Sequence, residues 1–305
     1  MKNSFRMRLS RDLRMHKYKY LLILPVIAYF LIFHYKAMYG IVIAFKDYRP
    51  TRPIADCDWV GLKHFIAFFK DPYFWRLIRN TFSINILSII FGFPMPIILA
   101  LLLNEVRVSW FKRSIQTLTY MPHFVASVVI CGLITDYCQS NGLINDIIVW
   151  FGGERSNLLM RSELFYPIYI ISGIWQGTGW GSIIYLAALA GIDQEQYEAA
   201  KVDGAGRIRQ MIYITLPGLV PVATMLLILE MGKILSVGSD KILLLYQPLT
   251  YNVADVVSTY VHRRGLQGGA FSYGTAVSMF NQVINICFLL ASNKISKRLG
   301  QSGLF

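Results

Sequence analysis

Apolar residues in this chain come in blocks of membrane-spanning length, and that feature removes most of the folds open to 305 residues. The blocks run from Tyr20 to Tyr39, Thr81 to Leu103, Leu118 to Thr135, Phe165 to Leu189, Leu216 to Leu235 and Phe271 to Ala291. Each holds about 17 to 25 residues, the length of helix that crosses a hydrocarbon core about 30 Å thick. Lipid offers no partner for unpaired backbone groups, and the blocks lack the two-residue alternation of a membrane barrel, so helices are expected throughout. Composition agrees, with 55% of residues hydrophobic and only 15% charged. The expected fold is an all-α integral membrane protein of six transmembrane helices, with no room between them for a soluble domain.

Charge orients the spans. Lys2, Arg6, Arg8, Arg11, Arg14 and Lys17 hold the amino terminus in the cytoplasm, and Lys294, Lys297 and Arg298 do the same at the far end. The first block is too long for a signal peptide and no small-x-small cleavage site follows it. The expected division is a basic cytoplasmic tail over 1–19, a six-helix membrane domain over 20–292 and a cytoplasmic tail over 293–305. Counting crossings puts the polar segment 191–215 on the cytoplasmic side. The connection after the first span resists this count, since it would be external yet carries Lys46, Arg49, Arg52, Lys63, Lys70, Arg76 and Arg79. Part of it, Leu62 to Leu77, reads as an aromatic-rich interfacial helix whose cations meet lipid head groups or an anionic solute. Cys57, Cys131, Cys138 and Cys287 show no ligand spacing and are expected as free thiols, with no metal site.

Several spans carry helix breakers. Pro94 and Pro96 lie within the second block, while Gly173, Gly177, Gly179 and Gly181 thin one region of the fourth. Such features serve close helix packing or shape a cavity, and both readings stand.

The segment 191–215 has its own logic. Ala199 and Ala200 favour helix, Asp203 and Gly204 supply a break, and Ala205 to Tyr213 form a second short helix that Pro217 leads into the next span. Two helices joined at a glycine make a protruding elbow. The run Glu198-Ala199-Ala200-Lys201-Val202-Asp203-Gly204-Ala205-Gly206, followed by Ile214-Thr215-Leu216-Pro217, resembles the EAA loop of binding-protein-dependent ABC importer permeases. The segments FHYKAMYGIVIAFKDYRP, WVGLKHF, ALLLNEVR, QTLTYMPHF, VVSTYVHRRGL and FSYGTAVSMF, in this order, extend the likeness over nearly the whole chain and point to the oligosaccharide and polysaccharide branch.

That resemblance implies a type I importer permease fold in a bacterial cytoplasmic membrane. It implies that Glu198, Ala199, Ala200, Asp203, Gly204, Ala205, Ile214, Leu216 and Pro217 couple the chain to a separate ATPase. The implied partners are two ATP-binding subunits, a second and unlike homologous permease, an extracellular solute-binding protein, a saccharide and membrane lipid. Nucleic acid is not among them. ATP and Mg would reside on the ATPase subunits, with no cofactor on this chain, which contains no GxxxxGK[ST] loop.

A solute route is sought among polar residues within the spans, because charge at membrane depth is costly. Glu230 lies about 20 Å into the fifth span at 1.5 Å per residue, and Lys233 follows one turn later as a possible ion-pair partner. Asn281, Gln282 and Asn285 in the last span, and Trp175, Gln176 and Trp180 in the fourth, combine hydrogen bonding with aromatic surface, as sugars require. Packing roles compete for each group. Arg263 and Arg264 in the last external loop meet a binding protein, steer an acidic sugar, or are merely solvated.

Two other classes fit the spans less well. An integral-membrane enzyme of lipid-linked sugar chemistry needs a carboxylate or metal cluster, whereas the acidic residues are scattered and the five histidines lie far apart. A secondary transporter or channel has no need of an ATPase-docking elbow.

Overall fold

The computed structural model describes residues 15–300 and 303–304. The basic residues Lys2 to Arg14 of the expected amino-terminal tail, and residues 301, 302 and 305 of the carboxy-terminal one, lie outside the described residues. Among the described residues there is no strand, only an isolated bridge between Lys46 and Trp59. The principal helices are α1 (Lys17–Phe45), α2 (Lys63–Phe69), α3 (Phe74–Glu105), α4 (Ser109–Tyr120), α5 (Ser127–Cys138), α6 (Leu143–Trp150), α7 (Ser162–Ala190), α8 (Gln194–Val202), α9 (Arg207–Met231), α10 (Ser239–Leu245) and α11 (Phe271–Arg298).

Four of these, α1, α3, α9 and α11, are long and apolar enough to cross a membrane. The third apolar block departs from expectation. It is not one helix, because the chain from Ser109 to Phe124 and the chain from Ser127 to Trp150 meet at 98°. Pro122 is buried in the tight turn Met121–Phe124, and Val125 and Ala126 are extended, so the backbone leaves the helix there. Taken as one broken span, this pair raises the number of candidate crossings to five. Helix α7, with 29 residues, is about 43 Å long and has the reach of a span, but Gln176, Thr178, Ser182 and its glycines dilute its hydropathy.

The interfacial helix expected over Leu62 to Leu77 also divides. Asp71 interrupts it, its carboxylate accepting the Tyr73 N–H at 2.9 Å, and Pro72 follows, so the second half becomes the start of α3. Pro94 and Pro96 do not break α3. A π-helical turn over Ser88–Gly92 absorbs the missing donors, and the helix continues to Glu105.

Helix α7 is the centre of the packing and touches α3, α4 and α9. The glycine patch turns out to have two uses. A Cβ on Gly179 would stand 2.0 Å from the Thr119 carbonyl oxygen, and one on Gly181 would stand 2.9 Å from Pro96 Cγ, so these two allow close approach of α4 and α3. Gly173 and Gly177 border a cavity that Gly181 also reaches. One apolar cluster gathers Phe68, Phe74, Leu77, Val257, Tyr260, Tyr273 and Val277 near the starts of α3 and α11. Another joins Ala100, Tyr185, Leu189 and Leu219 at the opposite end of α7. Helix α1 stands apart. The most apolar window of its sequence has no buried residue, and it joins the rest chiefly through its last turn against α11.

Candidate functional site: a cavity and an exposed elbow

The elbow is built by its capping chemistry. Asp193 caps α8, its carboxylate accepting the Glu195 N–H at 3.0 Å. At the other end the Gly204 N–H bonds the Lys201 carbonyl at 3.0 Å and the Ala205 N–H bonds the Ala200 carbonyl at 2.8 Å, a Schellman closure. That closure needs a left-handed residue, and Gly204 supplies it with φ of +77°. The second helix starts at Arg207, later than the expected Ala205, and runs without a break into the span beginning at Leu216. Tyr197 ties the elbow to the base of this span through a 3.0 Å hydrogen bond between its hydroxyl and that of Thr215, and Gln210 donates to the Ala205 carbonyl at 2.7 Å.

Very little covers this elbow. Glu198, Ala199, Asp203, Gly204, Leu216 and Pro217 are exposed, while Ala200, Ala205 and Ile214 are half-buried. Val202 is 88% exposed and Ile208 70%, an uncovered apolar surface on a polar loop.

A cavity of about 510 Å³ opens among α3, α7, α9 and α10. Its wall includes Gln176 and Glu230, two of the expected solute-path residues, with Asn85, Tyr169, Gly173 and Lys241. The other expected residues go elsewhere. Trp175 is 55% exposed, on another side of α7, and Trp180 stacks on His123 with ring centroids 4.6 Å apart. Asn281 and Asn285 are buried and hold the chain just after α9. The Asn281 carboxamide donates to the Leu235 carbonyl at 2.7 Å, while Asn285 accepts the Leu235 N–H at 2.8 Å and donates to the Ser236 hydroxyl at 2.7 Å. Gln282 is exposed. Glu230 pairs with Lys233 at 3.4 Å in a half-exposed contact.

At the far end of α7 from the elbow a second polar assembly closes on itself. Asp255, fully buried, receives Arg263 at 2.8 Å and Arg76 at 3.2 Å. Asn80 donates to the carbonyls of Asn252 and Asp255, both at 3.0 Å, and Arg79 also reaches the Asn252 carbonyl. Asp71 receives Arg264 at 2.5 Å, a hydrogen bond from the Tyr260 hydroxyl, and the Tyr273 hydroxyl at 3.0 Å. Burial pushes the Asp71 carboxyl up, but bonds from Tyr260, the Tyr73 N–H and Tyr273, with the Arg264 charge, outweigh it and hold the pKa below the ordinary value. Arg263, Arg264, Arg76 and Arg79 thus serve the protein's own carboxylates and carbonyls. Asp71 and Asp255 were not singled out from sequence, although each precedes a run of aromatic or β-branched residues as an isolated acid. Lys241 was missed too. Its signal was a lone cation heading the apolar run Ile242 to Leu245.

With this geometry in place, comparison with known proteins is decisive. Residues 92–295 match the family described as binding-protein-dependent transport system inner membrane component. The chain is 46% identical over 305 residues to the polygalacturonan/rhamnogalacturonan transport system permease protein YteP of Bacillus subtilis (strain 168), covering 100% of this chain and 95% of that one. It is 45% identical over 294 residues to protein LplB of the same organism, covering 96% and 92%. Among solved structures, a chain of a bacterial alginate ABC transporter in complex with an alginate pentasaccharide-bound periplasmic protein superposes with a TM-score of 0.89 at 42% identity, covering 97% of this chain and 100% of that one. The chain therefore belongs to the binding-protein-dependent transport system inner membrane components, as a permease subunit of the sugar ABC importers.

Proposed function

We propose that this permease subunit moves an oligosaccharide or polysaccharide inward by alternating access, driven by separate ATPase subunits through the elbow at 191–215. The observation that carries this reading is the elbow's form: it is rigidly capped at Gly204 and tied to the base of α9 by Tyr197, yet Val202 and Ile208 are uncovered. A partner that seated there and moved would pull directly on α9 and on the end of α7. ATP binding to a pair of ATPases would draw the elbows of two permease halves together and open the cavity outward; hydrolysis would reset it. In this arrangement α7 and the broken α4–α5 pair complete six crossings, with both termini and the elbow in the cytoplasm. A second, unlike permease closes the cavity and an extracellular binding protein delivers the sugar, as the names of the similar proteins suggest. Nothing among the described residues favours the enzyme alternative, for which a carboxylate or metal cluster is required.

The test uses the assembled transporter in proteoliposomes. Gly204→Val puts a β-branched residue where φ is +77°, and is expected to abolish ATP-dependent sugar uptake while the complex remains in the membrane. Uptake at the wild-type rate would rule the elbow out as the coupling element.

A further inference from the structure

The cavity wall holds one cation with no carboxylate of its own. Among the described residues the ion pairs use Asp71, Asp146, Asp255 or Glu230, and none of these involves Lys241. The Lys241 ammonium gives one hydrogen bond, to the Tyr169 carbonyl at 3.3 Å, and sits over the Tyr169 ring 5.0 Å from its centroid. An ammonium carries three donors, so two are left. The nearest wall on that side is Gly173, where even a Cβ would stand only 3.7 Å from Nζ; the missing side chain keeps the cation open to the cavity. A half-buried charge without a counter-ion is costly, and contact with a ligand of opposite charge offsets that cost.

The other polar groups of the cavity sort by whether they are already used. The Asn85 amide donates to the Thr81 and Ile234 carbonyls at 3.1 and 2.9 Å and Thr178 to the Ile174 carbonyl at 2.6 Å, so these donors are used in packing. The Gln176 and Ser88 side chains make no hydrogen bond within the described residues and remain available. Glu230, the one anion of the wall, is paired with Lys233 at 3.4 Å. The cavity therefore holds a free cation beside an aromatic ring and an anion that already has its partner.

We infer that Lys241 reads a carboxylate on the passing saccharide, with the Tyr169 ring against the sugar face and Gln176 at its hydroxyls, so that the cargo is a uronic-acid-containing oligosaccharide. This deepens the importer reading above and rests on it. The geometry favours a carboxylate because the donors left to Lys241 are charged and directed, whereas a neutral sugar would satisfy them only through hydroxyls and leave the charge uncompensated.

The test is uptake by the assembled transporter, with its binding protein and ATPases, of trigalacturonate and of its methyl ester. Lys241→Met keeps length and loses charge, and is expected to lower the acid-to-ester uptake ratio about tenfold, the worth of one charge-assisted hydrogen bond. Lys241→Arg should keep the wild-type ratio. Because the ratio is internal to each preparation, poor assembly does not imitate the effect. Equal loss of both sugars in Lys241→Met would make Lys241 a strut for Tyr169 and overturn the inference, as would an unchanged ratio. Wild-type transporter that takes up the ester but not the acid would overturn it alone and leave the importer reading standing. Absent uptake of both, with a neutral oligosaccharide still imported at the cost of ATP, would likewise overturn the inference alone; uptake that needs no ATP would remove both readings together.

Discussion

The two ends of α7 are both polar, yet they treat their charges in opposite ways. At its start, Asp71 and Asp255 gather Arg264, Arg263 and Arg76 into contacts of 2.5 to 3.2 Å, and the carboxylates are almost wholly buried. At its end, the elbow leaves Glu198, Lys201, Asp203, Arg207 and Arg209 exposed and turns Val202 and Ile208 outward. The first end is a closed assembly that binds loop to helix. The second is a rigid shape with an unfinished surface, as expected of a face completed by another protein. Charge density by itself does not separate them; satisfaction of each charge does.

The comparison breaks most sharply at Asp255. Asp255→Ala strands Arg76 and Arg263 and removes the acceptor for Thr259, and it is expected to cost about 3 kcal/mol, read as a lower thermal midpoint and less protein in the membrane. A loss below about 1 kcal/mol would mean that the closed end is no tighter than an ordinary surface cluster. Gly204→Val, proposed above as the coupling test, sharpens the other side. Its backbone strain is worth about 1 to 2 kcal/mol, and since nothing packs within 4 Å of that position the strain should stay local. The elbow variant should lose transport with little loss of thermal stability, and the Asp255 variant should lose stability first.

Asp71 offers a pH-dependent version of the same contrast. Its folded pKa lies below the usual 3.8, so the stabilisation it contributes is complete above about pH 4 and disappears as pH falls through the folded value. Thermal midpoints measured from pH 6 down to pH 3 should fall less steeply for Asp71→Asn than for the wild type. Parallel curves would show that Arg264 and the tyrosine hydroxyls do not hold the carboxylate in its charged form.

Legibility from sequence followed the same division. The elbow was readable because its determinants are local: an alanine pair, Asp203-Gly204 and Leu216-Pro217 specify helix, cap and return within about twenty residues. The broken third block was not readable as broken, since apolar composition is blind to direction and only the buried Pro122 turn shows where the chain bends. Tertiary pairing was the harder loss. Asp71 and Arg264 are separated by 193 residues, and Arg76 and Asp255 by 179, so Arg263 and Arg264 looked like outward-facing loop charges until their partners came from another helix. Asn281 and Asn285 show the converse. Their helical spacing was legible, but the backbone of Leu235 that each of them bonds was not. Gln176 and Trp175 are sequence neighbours that face different surroundings, a distinction set by which side of α7 meets the cavity.

Glu230 is where the comparison predicts the least. It has an ion-pair partner, as Asp255 has, but the two side chains are 49% and 63% exposed and separated by 3.4 Å on one helical face. A pair of that kind is worth about 0.2 to 1 kcal/mol, because water screens it and both side chains lose rotamer freedom in forming it. Glu230→Gln preserves shape and a hydrogen-bonding group, so its thermal midpoint should stay close to the wild type, and assembly with the partner subunits should be unchanged. Its effect should fall on uptake instead, since Glu230 lines the cavity and the variant removes the one anion of that wall. If Glu230→Gln lowers the yield of assembled complex as Asp255→Ala does, Glu230 belongs with the closed end of the molecule, and the cavity loses its anion to packing.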